Sequence, residues 1–185
     1  MRDLRWGAFF AVLAAAIGCN KVLVADAKQR PSAKIYKRSD IGSVTQGYQN
    51  WKLARTDLYQ VQPEVWVLCT GTIESPHAPM NPGETGFIKV FVNDIGQEAM
   101  FAKASFPVGS VVVKERHPTK VSGVEFCTVM RKREKGYNPD CGDWEFTVLN
   151  KESVPTETGR LKNCMACHSK QGLSDYTFRT YLARK

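Results

Sequence analysis

Residues 123–150 read GVEFCTVMRKREKGYNPDCGDWEFTVLN and contain two β-rich segments separated by a turn. The segments 123–132 and 144–150 are rich in β-branched and aromatic residues, which is typical of strands. The residues between them concentrate Gly, Pro, Asn and Asp, which favour turns. Because the connection is short, we expect the two strands to lie next to each other and to run antiparallel.

Two further strands are predicted earlier in the chain. They are the segments 87–93 (FIKVFVN) and 110–115 (SVVVKE), both dominated by residues that favour strands. The segment between them predicts a short helix, with Asp94 as its N-cap and Pro107 as its stop. An apolar run at 61–73 (VQPEVWVLCTGTI) is either a strand or a core segment.

The C-terminal segment predicts a final helix over 175–184 (DYTFRTYLAR). Ser174 is a suitable N-cap, and Leu173 and Phe178 stand at the two positions of a hydrophobic staple. The predicted fold is therefore α+β and mainly β, an antiparallel sheet with peripheral helices. One cysteine-rich motif, within 161–172 (LKNCMACHSKQG), lies between the last strand and this final helix.

The motif is C-x-x-C-H, formed by Cys164, Cys167 and His168. A C-x-x-C pair alone suits a redox dithiol, half of a zinc site or a haem attachment site. The adjacent histidine favours haem c, because two thioethers then hold the porphyrin and the next residue reaches the iron. A zinc site would need a second Cys or His pair at ligand spacing. The sequence therefore predicts one covalently attached haem c.

The N-terminus has the pattern of an export signal. Arg2 and Arg5 precede an apolar run that is too short to span a bilayer, and an A-x-A cleavage site follows. We therefore expect a signal peptide over 1–27 and a periplasmic or equivalent exported location. Lipoprotein processing at Cys19 is the alternative.

The rest of the chain is long enough for one domain. Residues 28–47 are polar and basic and predict an exposed leader, and 48–185 predict a single haem c domain without a membrane span. The formal net charge of the whole chain is +8. In an exported haem protein this charge does not indicate nucleic acid. It suits an acidic redox partner protein, since complementary charge steers encounter.

Three cysteines have no role in the motif or the signal. They are Cys69, Cys127 and Cys141. At most one disulfide forms among three residues of one chain, so one thiol is left over. Intermolecular pairing, burial as a small apolar group and ligation of the iron are the three explanations.

Four segments together resemble the cytochrome P-460 and cytochrome c′-beta group of mono-haem c-type proteins, over about 48–181. In order they are GFIKVFVND, GSVVVKE, VMRKREKGYNPDCGDWEF and CMACH followed by DYTF. The resemblance implies a compact, largely antiparallel fold, one haem and commonly a dimer. Members handle small nitrogen species: cytochrome P-460 oxidises hydroxylamine, and the c′-beta proteins bind nitric oxide.

The resemblance also implies roles for single residues. His168 would be the proximal ligand, with Cys164 and Cys167 as the anchors. Lys114 matches the lysine that is bonded to the haem edge in the P-460 enzymes; otherwise it is an ordinary exposed strand lysine. Thr128 stands where those enzymes have a glutamate, and a hydroxyl cannot replace that general base.

The residues around Thr128 leave the distal ligand open. Cys127 as a thiolate would give the iron His/Cys ligation, as in a heterodimeric, nitric-oxide-binding member of the group from anaerobic ammonium oxidisers. Alternating strand geometry puts Phe126, Thr128 and Met130 on one face and Cys127 on the other, unless a β-bulge intervenes. Met130 or no protein ligand is the alternative. An apolar distal pocket is expected from Phe126, together with Phe87, Phe91 and Phe101.

Two functions from different classes follow. The first is an exported cytochrome that binds nitric oxide or another small nitrogen ligand, transfers electrons in nitrogen metabolism, or does both, as a homo- or heterodimer. The second is a hydroxylamine-oxidising enzyme with a haem cross-linked to Lys114, in which Glu125 supplies the base. A plain electron carrier with a methionine ligand is a third reading.

Overall fold

The computed structural model describes residues 40–61 and 86–182, which lie within one compact unit. The helices in these ranges are α1 (Ile41–Thr45), α2 (Gln97–Ala102) and α3 (Lys162–His168). The strands are β1 (Lys52–Leu53), β2 (Tyr59–Gln60), β3 (Phe87–Val92), β4 (Val111–His117), β5 (Phe126–Lys132), β6 (Trp144–Asn150) and β7 (Pro155–Gly159). Single turns of 3-10 helix span Tyr48–Asn50 and Pro139–Cys141, and a longer one spans Ser169–Ser174. None of the described helices is long and apolar enough to cross a membrane.

The strands of the described ranges form one antiparallel sheet with the order β1-β3-β4-β5-β6-β7, and β2 also pairs with β3. Every neighbouring pair is antiparallel. From β3 to β7 each strand pairs with the next in sequence, so the sheet is a meander. The predicted fold class, mainly β with an antiparallel sheet and peripheral helices, is confirmed.

Both faces of the sheet are covered. One face, which we call the C-terminal face, packs against α3 and the residues after it, and Phe146 and Met130 are among its buried side chains. The N-terminal face packs against α1 and the turn at Tyr48–Asn50, with Cys127 and Leu149 buried there. Successive side chains of a strand point to opposite faces. The central strands therefore contribute alternate residues to two separate cores.

The strand predictions are accurate at the centre of the sheet. The predicted segment 144–150 coincides with β6, and 87–93 exceeds β3 by one residue. The predicted segment 123–132 began three residues before β5, and residues 123–125 lie outside the strand. The last strand, β7, was missed, since its sequence PTETG has a proline and little apolar character.

Two further predictions, the helix between β3 and β4 and the exposed leader, are corrected in part. The helix between β3 and β4 is present, but it begins after Gly96, and Asp94 does not cap it. Instead, the Asn93 side chain accepts hydrogen bonds from the backbone amides of Gly96 and Val111. The end of the expected leader, 40–47, contains α1, and Ile41 is buried on the N-terminal face. The predicted signal peptide and nearly all of the 61–73 run lie outside the described residues.

The predicted C-terminal helix is wrong within the described residues. Asp175 and Tyr176 both have a left-handed backbone, with φ of 50° and 59°, which stops any helix at this point. Leu173 is fully exposed, so it forms no hydrophobic staple. The helix is instead α3, which contains the C-x-x-C-H motif itself and follows β7. The position of the motif after the last strand was predicted correctly.

Candidate haem site

A cavity lies between the C-terminal face of the sheet and α3. The cavity is open on one side, and its empty space together with the open solvent at its mouth is about 1340 Å³. Its wall is mainly apolar, with Val90, Val112 and Met130 from the sheet and Phe178 and Tyr181 from the C-terminal segment. A large apolar cavity with a few polar groups is the usual form of a cofactor site.

Cys164, Cys167 and His168 all line this cavity. They lie on α3, where residues three and four positions apart share one face of a helix. The motif spacing therefore directs two sulfur atoms and one imidazole into the same space. Among the described residues, no group of three or more His, Cys, Asp or Glu side chains is arranged to hold a metal ion by itself.

The His168 ring is held by a hydrogen bond and by two aromatic rings. Its Nδ1 donates to the carbonyl oxygen of Tyr176 at 2.7 Å, because a carbonyl can only accept. The rings of Phe146 and Phe178 lie at centroid distances of 5.2 and 5.0 Å. With the proton on Nδ1, the lone pair of Nε2 is available to a metal ion.

Burial lowers the pKa of His168 to about 4, and the nearby positive charge of Lys114 acts in the same direction. The hydrogen bond to Tyr176 opposes this shift. The imidazole is therefore neutral at physiological pH, which is the protonation state that ligates iron. A neutral imidazole, two sulfur atoms and an apolar wall are a donor set that fits haem c.

Lys114 and Thr128 face the cavity from the middle of the sheet. They are cross-strand partners in β4 and β5, and both line the cavity. The same alternation places Lys89 on the opposite side of β3, since its neighbours Ile88 and Val90 line the cavity. The structure thus places Lys114 beside the same cavity as the motif.

Phe126 and Arg116 form the next row of the cavity wall. They are cross-strand partners, and the guanidinium carbon of Arg116 lies 5.1 Å from the centre of the Phe126 ring. Glu125 does not line the cavity. Its carboxylate pairs with Arg116 at 3.0 Å, with 43% of its side chain exposed. Glu125 is therefore one residue removed from the cavity, behind Arg116.

Cys127 is not brought to the cavity. It is buried on the N-terminal face, where its Sγ lies 3.4 Å from the hydroxyl of Tyr48. Burial raises the pKa of this thiol, so it is protonated there. The regular register of β4 with β5 shows no bulge at this position that would swap Cys127 with Thr128. The geometry therefore speaks against the predicted bond between Cys127 and the iron.

Other expectations about the cavity also change. Of the four phenylalanines expected to line it, only Phe126 does so among the described residues. Phe87 and Phe91 belong to the opposite face of β3, and Phe101 is exposed on α2. Met130 does line the cavity, as the alternative ligand requires.

Sequence reasoning missed three features of the site. Arg116 follows Lys114 at the strand period of two, so the same alternation could have found it. Phe146 was predicted only as part of the strand 144–150 and Phe178 only as part of a helix, and no sequence signal places them beside the imidazole. The Tyr176 carbonyl is a backbone group, which no side-chain pattern reveals.

The fold and the site together define a c-type cytochrome built on an antiparallel sheet. The chain belongs to the cytochrome P460 family, whose family model matches residues 45–179. This family binds a covalently attached haem c, so the predicted cofactor is confirmed. No curated protein matches the chain.

Proposed function

We propose that the protein is an exported mono-haem c-type cytochrome that binds nitric oxide or another small nitrogen ligand and passes electrons in nitrogen metabolism. One observation carries this proposal: the cavity beside His168 has an apolar wall to which the described residues contribute no carboxylate. Such a wall suits a small neutral ligand. Among the described residues it offers no carboxylate that could act as a general base on a nitrogen substrate.

The motif residues would hold the cofactor. Cys164 and Cys167 supply the two sulfur atoms for the thioethers, and His168 supplies the neutral imidazole for the iron. Haem c, when bound, supplies an iron that exchanges an electron and accepts a small ligand. The hydrogen bond from His168 to Tyr176 fixes the ring orientation, so that Nε2 points away from the backbone.

The side chains of the sheet would define the other side of the pocket. Val112, Met130 and Phe126 give this side of the cavity an apolar surface. The hydroxyl of Thr128 and the ammonium of Lys114 are neighbouring polar groups on this wall, and each can donate a hydrogen bond to a bound ligand. Met130 also lines the cavity. Its position favours the third hypothesis, a plain electron carrier with a methionine ligand.

A second candidate is the oxidation of hydroxylamine, and the position of Lys114 favours it. The Lys114 side chain lines the same cavity as Cys164, Cys167 and His168. Its Nζ could therefore form a bond to the edge of a haem held by the motif. Glu125 would have to supply the base. Its carboxylate lies outside the cavity lining, in an ion pair with Arg116 at 3.0 Å, so it is poorly placed to take a proton from a ligand in the cavity.

The cellular context is also part of the proposal. Residues 1–27 have the pattern of a signal peptide, and Cys19 offers the lipoprotein alternative. An acidic redox protein suits the charge of the chain, and a homo- or heterodimer follows from the family resemblance. These assignments rest on sequence pattern and on the family.

The first experiment counts covalent haem and tests Lys114. The pyridine haemochrome spectrum of the purified, exported protein should give one haem c per chain after extraction with acidified acetone. Peptide mapping should find haem on the 164–168 peptide. Haem mass on the peptide that contains Lys114, but not on the one that contains Lys89, would favour the enzyme, since Lys89 faces away from the cavity.

The second experiment tests the ligand. Addition of nitric oxide to the reduced protein should change the visible spectrum with a saturable affinity, whereas hydroxylamine with an electron acceptor should give no turnover. Steady turnover of hydroxylamine would contradict the binding proposal and support the enzyme. A protein without covalent haem would contradict both.

A further inference from the structure

The carbonyl that accepts the hydrogen bond from His168 comes from an unusual piece of backbone. Tyr176 has φ of 59° and its predecessor Asp175 has φ of 50°, so two successive side-chain-bearing residues are left-handed. This conformation is disfavoured for a bulky residue such as tyrosine and persists only where its surroundings impose it. It turns the Tyr176 carbonyl toward Nδ1 of His168, at 2.7 Å.

We propose that Asp175 is a positioning residue, which fixes the orientation and basicity of His168 through the Tyr176 carbonyl and so sets the reduction potential of the site. The proposal rests on His168 being the iron ligand. It adds a residue that the C-x-x-C-H motif does not contain and that the sequence had assigned to a helix.

The Asp175 residue is held at three points by three different segments. Its Oδ2 accepts a hydrogen bond from the backbone amide of Phe106 at 2.7 Å. Its Oδ1 accepts one from Nζ of Lys132 at 2.6 Å, and its own carbonyl accepts one from the indole Nε1 of Trp144 at 2.9 Å. The Trp144 side chain is fully buried, so this anchor is rigid. Three contacts from separate elements leave the residue little freedom to rotate.

Gly142 shows how closely this backbone is packed. A Cβ at Gly142 would lie 2.3 Å from Cδ2 of the Tyr176 ring and 3.2 Å from Oδ1 of Asp175. The φ of Gly142 is also +60°, which favours glycine. The turn before β6 is therefore shaped to admit the Asp175–Tyr176 pair.

The expected effect on the site has a definite sign. A carbonyl that accepts a hydrogen bond from the imidazole raises the basicity of the ring and fixes its orientation. A more basic ligand favours the oxidised iron and lowers the reduction potential. Loss of the Asp175 anchors should release the Tyr176 carbonyl, so the potential should rise.

The test compares two aspartates in the haem-loaded full chain. Asp175→Ala removes the two side-chain anchors, to Phe106 and Lys132, and leaves the backbone hydrogen bond from Trp144 in place. Asp175→Asn keeps an acceptor for Phe106 and tolerates the left-handed backbone. Asp143→Ala is the control, because Asp143 is also left-handed, with φ of 59°, and its carboxylate accepts hydrogen bonds from the amides of Gly136 and Asn138. Reduction potentials are measured by spectroelectrochemical titration, and the iron–histidine stretching frequency by resonance Raman spectroscopy.

Asp175→Ala should raise the potential and lower the stretching frequency, and Asp175→Asn should restore most of both. Asp143→Ala should lower the thermal stability and leave both quantities unchanged. An unshifted potential in Asp175→Ala, or an equal shift in Asp143→Ala, would overturn the proposal. If Asp175→Ala does not fold, Lys132→Met carries the same comparison, and an unshifted potential there overturns it. Absence of haem from the unaltered protein would instead contradict the proposed function.

Discussion

The two faces of strands β4 and β5 use the same stretch of chain in different ways. On the C-terminal face, Lys114 and Thr128 stand opposite each other beside the cavity of the motif. On the N-terminal face, their chain neighbours Glu115 and Cys127 are also cross-strand partners, but they are buried in a closed network. A shift of one residue along the strand therefore separates the wall of the cavity from a buried core.

The N-terminal network is built from groups that would suit an active site. The hydroxyl of Tyr48 bonds to Oε1 of Glu115 at 2.9 Å and lies 3.4 Å from the Cys127 sulfur. Nε2 of His117 lies 2.9 Å from the other oxygen of Glu115. All four residues are at most 6% exposed. Buried polar groups are compatible with a stable fold when they are hydrogen-bonded. These groups bond to one another, so they have a structural role within the core.

The largest effect should come from the cysteines of α3. Replacement of both Cys164 and Cys167 by alanine should abolish covalent haem, because no thioether can then form. Cys127→Ala is the matched control on the other face and should retain one haem per chain. The pyridine haemochrome spectrum after acid extraction measures both. Covalent haem in the double variant would mean that other residues attach the haem. The attachment site could then no longer be assigned to the C-terminal face.

The next effect concerns stability on the N-terminal face. Glu115→Ala should lower the free energy of unfolding by roughly 3 kcal/mol, because it leaves the buried polar groups of Tyr48 and His117 without their partner. Urea denaturation of the haem-loaded protein measures this. Glu125→Ala is the control on the neighbouring residue. It removes a partly exposed ion pair and should cost less than about 1 kcal/mol. Equal losses in the two variants would show that the network is not a structural core.

A third prediction tests the alternation directly. Cys127→Ala should leave the resting visible spectrum unchanged, because its sulfur lies on the face opposite the cavity, and should cost about 1 kcal/mol of stability. Thr128→Val should change the spectrum of the nitric oxide complex, since the hydroxyl that lines the cavity is lost. If the resting spectrum of Cys127→Ala differed from that of the unaltered protein, the Cys127 thiolate would be the iron ligand after all. Strand β5 would then need a different register.

Local sequence determined much of this fold in advance. The four central strands have alternating or continuous β-rich patterns, and the motif has a fixed spacing, so both could be predicted. The C-terminal helix was mispredicted because Ser174 suits an N-cap and Leu173 and Phe178 have the spacing of a hydrophobic staple. In the structure, Asp175 instead forms tertiary hydrogen bonds to Phe106, Lys132 and Trp144. Tertiary contacts of that kind override local propensity.

The distal side of the site was harder to predict for a related reason. Alternation alone correctly separated Thr128 from Cys127, but the odd number of cysteines favoured a ligand role for the remaining thiol. The burial of Cys127 against Tyr48 depends on the packing of the N-terminal segment, 40–51, which the sequence had assigned largely to a leader. The cysteine count gave no information about which face would be covered.

The smallest effect compares two buried thiols, Cys127 and Cys141, one in each core. Burial raises the pKa of Cys141 to about 11 and also raises that of Cys127. A raised pKa means that the folded state holds the proton more tightly. This stabilisation is therefore complete below the unfolded pKa, near 9, and is lost as the pH rises toward 11.

Urea denaturation between pH 8 and 10.5 measures this dependence. Cys141→Ala should flatten the alkaline decline in stability, and its contribution at pH 9.5 should be below about 1 kcal/mol. Cys127→Ala should flatten it as well, since the Glu115 charge adds to the effect of burial on that thiol. If Cys127→Ala left the slope unchanged while Cys141→Ala reduced it, Cys127 would already be deprotonated in the folded protein. A thiolate at that position needs a positive partner, and on the N-terminal face it has instead the hydroxyl of Tyr48 and the carboxylate of Glu115. The pH dependence of stability therefore tests the position of Cys127 without using the colour of the haem.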